Sequence, residues 1–394
     1  MACSAGCDPL VTLSQTLTGK QIVVAVCGSI AAVEIVKLIH ALRRRGAVVQ
    51  PVMSQAASGI IHPDALTYAS GRETITRISG MVEHVKYCGD DGTADLLLIA
   101  PCTANTLSKI ACGIDDTPVT TFATTAIGSK TPVLVVPAMH HSMYRHPAVI
   151  RNVAKLREWD IEVVDPRIEE GKAKIIGTDE IVLLCERAAL GSPLKGRNVL
   201  ITSGPCREPV DDIRILTTRS SGAMGREIAL QAFRLGADVT VVHSDLFPCV
   251  NNIAAETARE MRDAVHRYFA QKKADLYISA AAISDFAPER VVGKIPSGRA
   301  VHLTLNPLPK LIDATIRDFS PFTIAFKLGN DQEGKARGML NNGVSIVLTN
   351  TPETMGSERG AYTILTKSGK SPISGTKEEI ASGLWDIILK ELKP

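Results

Sequence analysis

No CxxC pair occurs in the 394 residues, although nine cysteines are scattered along them. That absence removes the spacing of a zinc ribbon or a disulfide framework, and free thiols in a reducing compartment become the expectation. Aromatic residues make up only 4%, too few for a base-stacking surface. There is no basic tract with interleaved aromatics, and a net charge of +3 makes no electrostatic case for nucleic acid. No apolar run approaches the ~18 residues of a membrane span, and residues 1–20 lack a charged start followed by an apolar stretch. These absences predict a cytoplasmic protein without nucleic-acid or membrane partners.

What is present is α/β patterning, repeated. QIVVAVCGSIAAVEIVKLIHALRRRGAVVQPVMS (21–54) and RNVLITSGPCREPVDDIRILTTRSSGAMGREIALQAFRLGADVTVVHS (197–244) each read as buried strand, Gly/Ser turn, amphipathic helix and second strand. Gly46 and Gly236 stand where a helix C-terminus wants a left-handed residue. Further strand candidates are ADLLLIAP and TPVLVVPAM, then ADLYISAAA, FTIAF, VSIVLTN and AYTILTKSG. Strands alternating with helices predict two doubly wound, Rossmann-like domains. Residues 1–18 read as a flexible tail, 19–190 as one domain and 191–394 as the other, the break falling in ERAALGSPLKGR.

Ligands of open α/β sheets bind at strand carboxyl ends, where helix N-termini present free N–H groups to phosphate. The first turn, CGSIAA, has one glycine and no GxGxxG. Gly28 and Ser29 can hold a single phosphate, with Ser54 as a second donor, or simply make a tight turn. In APCTANTLSK, Thr103, Asn105 and Thr106 can donate to a ligand, while Thr103 can equally be an N-cap. RSSGAMG places Ser220, Ser221, Gly222 and Gly225 at a helix start, as a phosphate cradle without the lysine of a Walker loop. Asp285, Lys294, Lys310 and Lys327 fall at or after strand ends. Lysines there suit a triphosphate, and Asp285 suits Mg2+ or a sugar hydroxyl.

Taken in order, GSIAA, VEHV, APCTANTLSK, PAMHHSMY, SGPCREPVDDIR, RSSGAMG, AAAISDF and GKI closely resemble the motifs of the bifunctional phosphopantothenoylcysteine decarboxylase/phosphopantothenate–cysteine ligase family, in its archaeal form. The resemblance implies an N-terminal flavodoxin-like half that binds FMN through Gly28, Ser29, Ser54, Thr103, Asn105 and Thr106. There the cysteinyl thiol is oxidised to a thioaldehyde, CO2 leaves, and the enethiol is reduced again. His84 matches the histidine that assists oxidation as a base, a task suited to an imidazole titrating near ~6.5. His140 replaces the asparagine that binds the departing carboxylate, and a histidine can donate the same hydrogen bond. The C-terminal half is implied to join cysteine to 4′-phosphopantothenate through an acyl-nucleotide, with CTP and Mg2+. Its nucleotide contacts would be Ser221, Gly222, Ser279, Ala280, Ala281, Asp285, Lys294, Pro309, Lys310, Leu311, Ile312, Phe326 and Lys327, with Lys294 also catalytic.

The chain departs from the bacterial pattern at several points. DPRIEEGKAKIIG (165–177) lacks the clamp cysteine that protonates the enethiolate, leaving Lys172, Lys174 or solvent for that step. Thr218 replaces an asparagine, and two lysines before VSIVLTN are missing, which bears on the choice of CTP over ATP. The metal reading of His140, His141 and His146 is the weaker one, since adjacent histidines on an extended segment point apart. An alternative keeps the ligase and makes the flavin half a silent binding or assembly module. A different flavin decarboxylase or prenyl-transferring enzyme fits the fused ligase poorly. The resemblance further implies a homo-oligomer, a dodecamer built from trimers and dimers.

Overall fold

QIVVAV becomes a strand buried along nearly its whole length, and the pattern is repeated in each parallel strand beside it. The computed structural model describes residues 15–392 apart from 299. Two compact units divide between Gly191 and Ser192.

Strands of the first unit are β1 (Gln21–Val26), β2 (Val48–Met53), β3 (Leu96–Cys102), β4 (Val133–Pro137), β5 (Met139–His140), β6 (Glu162–Val163), β7 (Arg167–Glu169) and β8 (Lys172–Lys174). A five-stranded sheet has the order β2-β1-β3-β4-β6, parallel throughout. The chain runs outward from β1 to β2, then returns to place β3 on the other side of β1. That reversal creates the crevice where such folds bind ligands. The helix Ile35–Arg44 buries Ile35, Leu38, Ile39 and Leu42, one face at helical spacing. β5, β8 and β7 form a separate antiparallel sheet. Within the expected tail, Leu17 is fully buried and its N–H donates to the Arg45 carbonyl at 2.8 Å. The packed unit therefore begins before Gly19; residues 1–14, with Cys3 and Cys7, lie outside the described residues.

The second unit contains β9 (Asn198–Thr202), β10 (Arg207–Pro209), β11 (Ile215–Thr217), β12 (Asp238–His243), β13 (Asn251–Ala254), β14 (Leu276–Ser279), β15 (Phe286–Pro288), β16 (Leu305–Pro307), β17 (Phe322–Leu328), β18 (Ile346–Asn350), β19 (Arg359–Leu365) and β20 (Lys370–Thr376). Its main sheet has the order β13-β12-β9-β14-β17-β18-β19-β20. Pairing is parallel as far as β18 and antiparallel for the last two strands. Order reverses here between β9 and β14. The β10–β11 hairpin interrupts what the sequence suggests is a plain turn between β9 and the helix Ala223–Arg234. Trp385, on the helix Lys377–Glu391, is fully buried and donates its indole N–H to the Ile228 carbonyl at 3.0 Å.

Gly46 and Gly236 adopt φ of +91° and +94°, the left-handed region in which a Cβ is strained. Among the described residues Cys27, Cys88, Cys102, Cys112, Cys185 and Cys206 are free thiols. No helix among the described residues is long and apolar enough to cross a membrane.

Candidate active sites

Where β1 and β3 end, side by side, the first unit opens into a cavity of about 730 Å3 lined by Gly28, Ser29, Thr103 and His140. Gly28 is required by a close approach: a Cβ there would lie 2.5 Å from the Ala56 Cβ. Ala56 belongs to the short helix Gln55–Ser58, whose N-cap is Ser54, its Oγ accepting from the Ala57 N–H at 3.3 Å. Thr103 caps the helix Ala104–Cys112. Its Oγ1 accepts from the Thr106 N–H at 3.2 Å and donates to Thr106 Oγ1 at 3.2 Å. Thr103 thus serves as cap and cavity wall together. Ser54, Asn105 and Thr106 do not line the cavity; Ser54 and Thr106 are buried and Asn105 is exposed. Ile30, Val33 and Leu38 give one wall its apolar character.

Two thiols are buried at the ends of these same strands. A hydrogen bond with Cys102 draws the Cys27 thiol below its ordinary value, against the effect of burial. The same bond, together with burial, pushes Cys102 well above it.

The opposite wall is made by 165–177, the stretch that lacks the clamp cysteine. It folds as the β7–β8 hairpin around Glu170 (φ +51°) and Gly171 (φ +70°), both left-handed as a two-residue turn of matching twist demands. β8 also pairs with β5, placing His140 opposite Lys172. Arg167, Glu169 and residues 172–177 face the cavity. Lys174 Nζ lies 3.3 Å from Glu169 and 2.9 Å from Glu170, and these contacts raise its pKa. Lys172 makes no ion pair among the described residues.

The other histidines separate clearly. His146 Nδ1 accepts from the Ala148 N–H at 3.1 Å as the N-cap of the helix Pro147–Glu158. His141 is half-buried. Among the described residues no group of three or more His, Cys, Asp or Glu is placed to hold a metal ion. His84 sits in the helix Glu83–Cys88, away from the cavity lining. Its ring is half-buried, and Nδ1 finds no hydrogen-bond partner among the described residues. Met81, Val82 and Val85 around it are exposed.

A second cavity, about 390 Å3, opens at the corresponding place in the second unit. Ser220, Ser221, Gly222 and Gly225 line it at the start of the helix Ala223–Arg234, joined by Ala280, Ala281, Asp285, Phe326 and Lys327. Gly225 packs against Ser203, the residue that follows β9, since a Cβ would lie 2.3 Å from its Oγ. Ser279, Lys294, Pro309, Lys310, Leu311 and Ile312 do not line this cavity. Leu311 is core, Lys310 is the N-cap residue of the helix Leu311–Phe319, and Lys294 is exposed on a loop. That loop is tied down by DDIR. Asp211 accepts from the N–H groups of Ile213 (2.8 Å), Arg214 (2.6 Å) and Ile295 (3.0 Å) and pairs with the Arg214 guanidinium. Asp212 accepts from the Gly293 N–H at 3.0 Å.

Residues 10–189 match the Flavoprotein family, and residues 194–392 match the DNA/pantothenate metabolism flavoprotein C-terminal domain. A coenzyme A biosynthesis bifunctional protein CoaBC of Thermococcus kodakarensis is 44% identical over 97% of this chain and 98% of its own length. The chain belongs to the bifunctional CoaBC family of coenzyme A biosynthesis. The CoaBC protein of Methanocaldococcus jannaschii is 34% identical over 97% of this chain and 96% of its own. Among solved structures, the C-terminal domain of a CoaBC protein has 28% identity and a TM-score of 0.42, covering 51% of this chain and 98% of that one.

Each half of the chain thus carries its own cavity at its own sheet reversal. The stretch 165–177, with Lys172 and Lys174, is singled out in the sequence, but its hairpin is too short to announce itself by periodicity. One set of lining residues escapes the sequence reading. Tyr362 and Lys377, from β19 and the last helix, line the second cavity from far along the chain, and nothing local marks them.

Proposed function

We propose that the second unit condenses 4′-phosphopantothenate with cysteine, using CTP rather than ATP, and that the first unit decarboxylates the product with FMN. What supports this reading is one cavity at each sheet reversal, in a chain that a CoaBC relative matches over 97% of its length.

In the second unit the pantothenate carboxylate attacks the α-phosphate and pyrophosphate leaves; the cysteine amine then displaces the nucleoside monophosphate. The helix start Ser220–Gly225 faces the phosphates, and Lys327 adds positive charge. The acid lining this cavity is Asp285, which fits Mg2+ held jointly by one carboxylate and substrate phosphates. Lys294, on the loop held by Asp211 and Asp212, is assigned to the reacting groups although it does not line this cavity.

The residues of the first cavity fit a flavin: strand-end backbone at Gly28–Ser29 and the Thr103 hydroxyl would hold its polar groups, and Ile30, Val33 and Leu38 would supply apolar contact. FMN supplies reversible two-electron oxidation of the cysteinyl carbon–sulfur unit. His140 holds the carboxylate that departs, and the hairpin 165–177 covers the site from water. His84 takes the thiol proton. Because His84 does not line the cavity of its own chain, we assign it to a neighbouring subunit's site, in a homo-oligomer built from trimers and dimers. Lys174 is committed to two glutamates, so Lys172 or solvent returns the proton.

The test uses purified protein with 4′-phosphopantothenate, cysteine, Mg2+ and CTP or ATP, products followed by mass. Phosphopantetheine is the expected end product. Accumulation of phosphopantothenoylcysteine by flavin-loaded protein would favour the second reading, a ligase joined to a silent flavin module, which the missing clamp cysteine makes worth testing. No condensation with either nucleotide overturns the proposal. Sedimentation velocity tests the assembly, and a monomer at micromolar concentration would refute it.

A further inference from the structure

A nucleotide cavity needs cations, yet Lys294 and Lys310 do not line this one; Lys327 and Lys377 do. Lys377 is 9% exposed. Its Nζ donates to Tyr362 Oη at 2.8 Å and to the Thr354 carbonyl at 3.2 Å, and stands 5.0 Å from the Tyr362 ring centroid. An ammonium has three N–H donors and no acceptor, so one donor remains. Among the described residues Lys377 has no carboxylate partner. Tyr362 is also buried, and its oxygen already accepts from Lys377. Its own O–H is left to donate, and no acceptor for it occurs among the described residues. Gly360 leaves the space for this pair: a Cβ there would lie 3.0 Å from Tyr362 Cε2 and 3.3 Å from Lys377 Nζ.

A buried cation without a counter-ion is costly. Here that cation and a neighbouring hydroxyl, both with donors to spare, sit on the wall of a polar cavity. The ligand that satisfies both is anionic and accepts only. A phosphate group, with three oxygens and up to two charges, meets two adjacent donors better than a carboxylate does. We propose that Lys377 and Tyr362 form a phosphate-binding pair in the ligase cavity. The proposal rests on the ligase reading above. The phosphate belongs either to the nucleoside triphosphate or to 4′-phosphopantothenate, and kinetics separates these sources.

The experiment measures kcat and KM for nucleotide, 4′-phosphopantothenate and cysteine, by pyrophosphate release, in full-length wild type, K377M and Y362F. Loss of one charge-assisted hydrogen bond is expected to raise one phosphate-bearing substrate's KM about 10-fold or more in K377M. The substrate affected names the source. KM for cysteine stays put, decarboxylation of supplied phosphopantothenoylcysteine is unchanged, and K377R recovers part of the loss. Unchanged KM for both phosphate-bearing substrates, a change confined to cysteine, or a fall in kcat alone overturns the proposal. If K377M loses its cooperative melt, Y362F decides, since the same KM must rise there. Wild type that fails to condense the substrates overturns the ligase reading itself, whereas an active wild type matched by its variants overturns only this pair.

Discussion

At the scale of single residues, chemistry here depends on what a side chain is left without. His84 Nδ1 is shielded yet unpartnered among the described residues, an arrangement that normally carries a cost. His84→Ala in the full chain is expected to lower decarboxylation about 100-fold or more, the usual weight of a general base. Ligation should be untouched, and phosphopantothenoylcysteine should accumulate; unchanged phosphopantetheine formation would remove His84 from the chemistry. Asp211 is the opposite case, fully supplied. Burial alone would raise its pKa, but the N–H groups of Ile295, Ile213 and Arg214 and the Arg214 guanidinium outweigh it and hold the carboxyl far below the usual range. A depressed carboxyl pKa means that the unfolded chain binds the extra proton, so stability rises with pH. The contribution is full above ~3.9, the ordinary Asp value, and is lost as pH falls toward the depressed one. Asp211→Asn should therefore melt earlier than wild type at pH 7, with the gap closing below about pH 4. A gap that does not narrow as pH falls from about 4 toward the depressed value would mean that charge plays no part.

At the scale of elements, both cavities depend on pieces that are distant in sequence and tightly apposed. Gly28→Ala pushes a methyl group to within 2.5 Å of Ala56 Cβ, so β1's turn and the helix Gln55–Ser58 must part. The expected result is purified protein with little flavin absorbance and full ligase activity; normal flavin content would show that the turn can relax. The helix Lys377–Glu391 is anchored by Trp385, whose replacement by alanine should cost the ligase unit about 3–5 kcal/mol, read by denaturant unfolding. The β7–β8 hairpin shows where sequence reading stops. DPRIEEGKAKIIG is legible as a stretch without cysteine, but its strands are three residues each, below the length at which alternation can be recognised. Only pairing with β5 makes it a wall.

At the scale of the whole molecule, the chain is two units with separate cores, one around β1, β3 and β4 and the others around β9, β12, β14, β17 and β18. Ligand binding stabilises only the unit that binds it. Calorimetry should resolve two transitions, FMN raising one and CTP with Mg2+ the other. A single transition moved equally by both would show that the units unfold together.

The sequence by itself determined the α/β class, the main parallel strands and the glycines that end the first helix of each unit, because these follow from local periodicity and backbone sterics. It also placed Gly28, Thr103, Ser221 and Phe326 near the ends of elements, since strand ends are marked by the same patterns. Only the tertiary structure decided that Thr103 is cap and cavity wall together while Thr106 turns back to it, that DDIR exists to hold the Lys294 loop, and that Tyr362 and Lys377 close the second cavity. The physical reason is range. A strand or cap is stabilised by neighbours a few residues away, whereas a cavity wall is assembled from side chains whose proximity exists only once the sheet has been ordered.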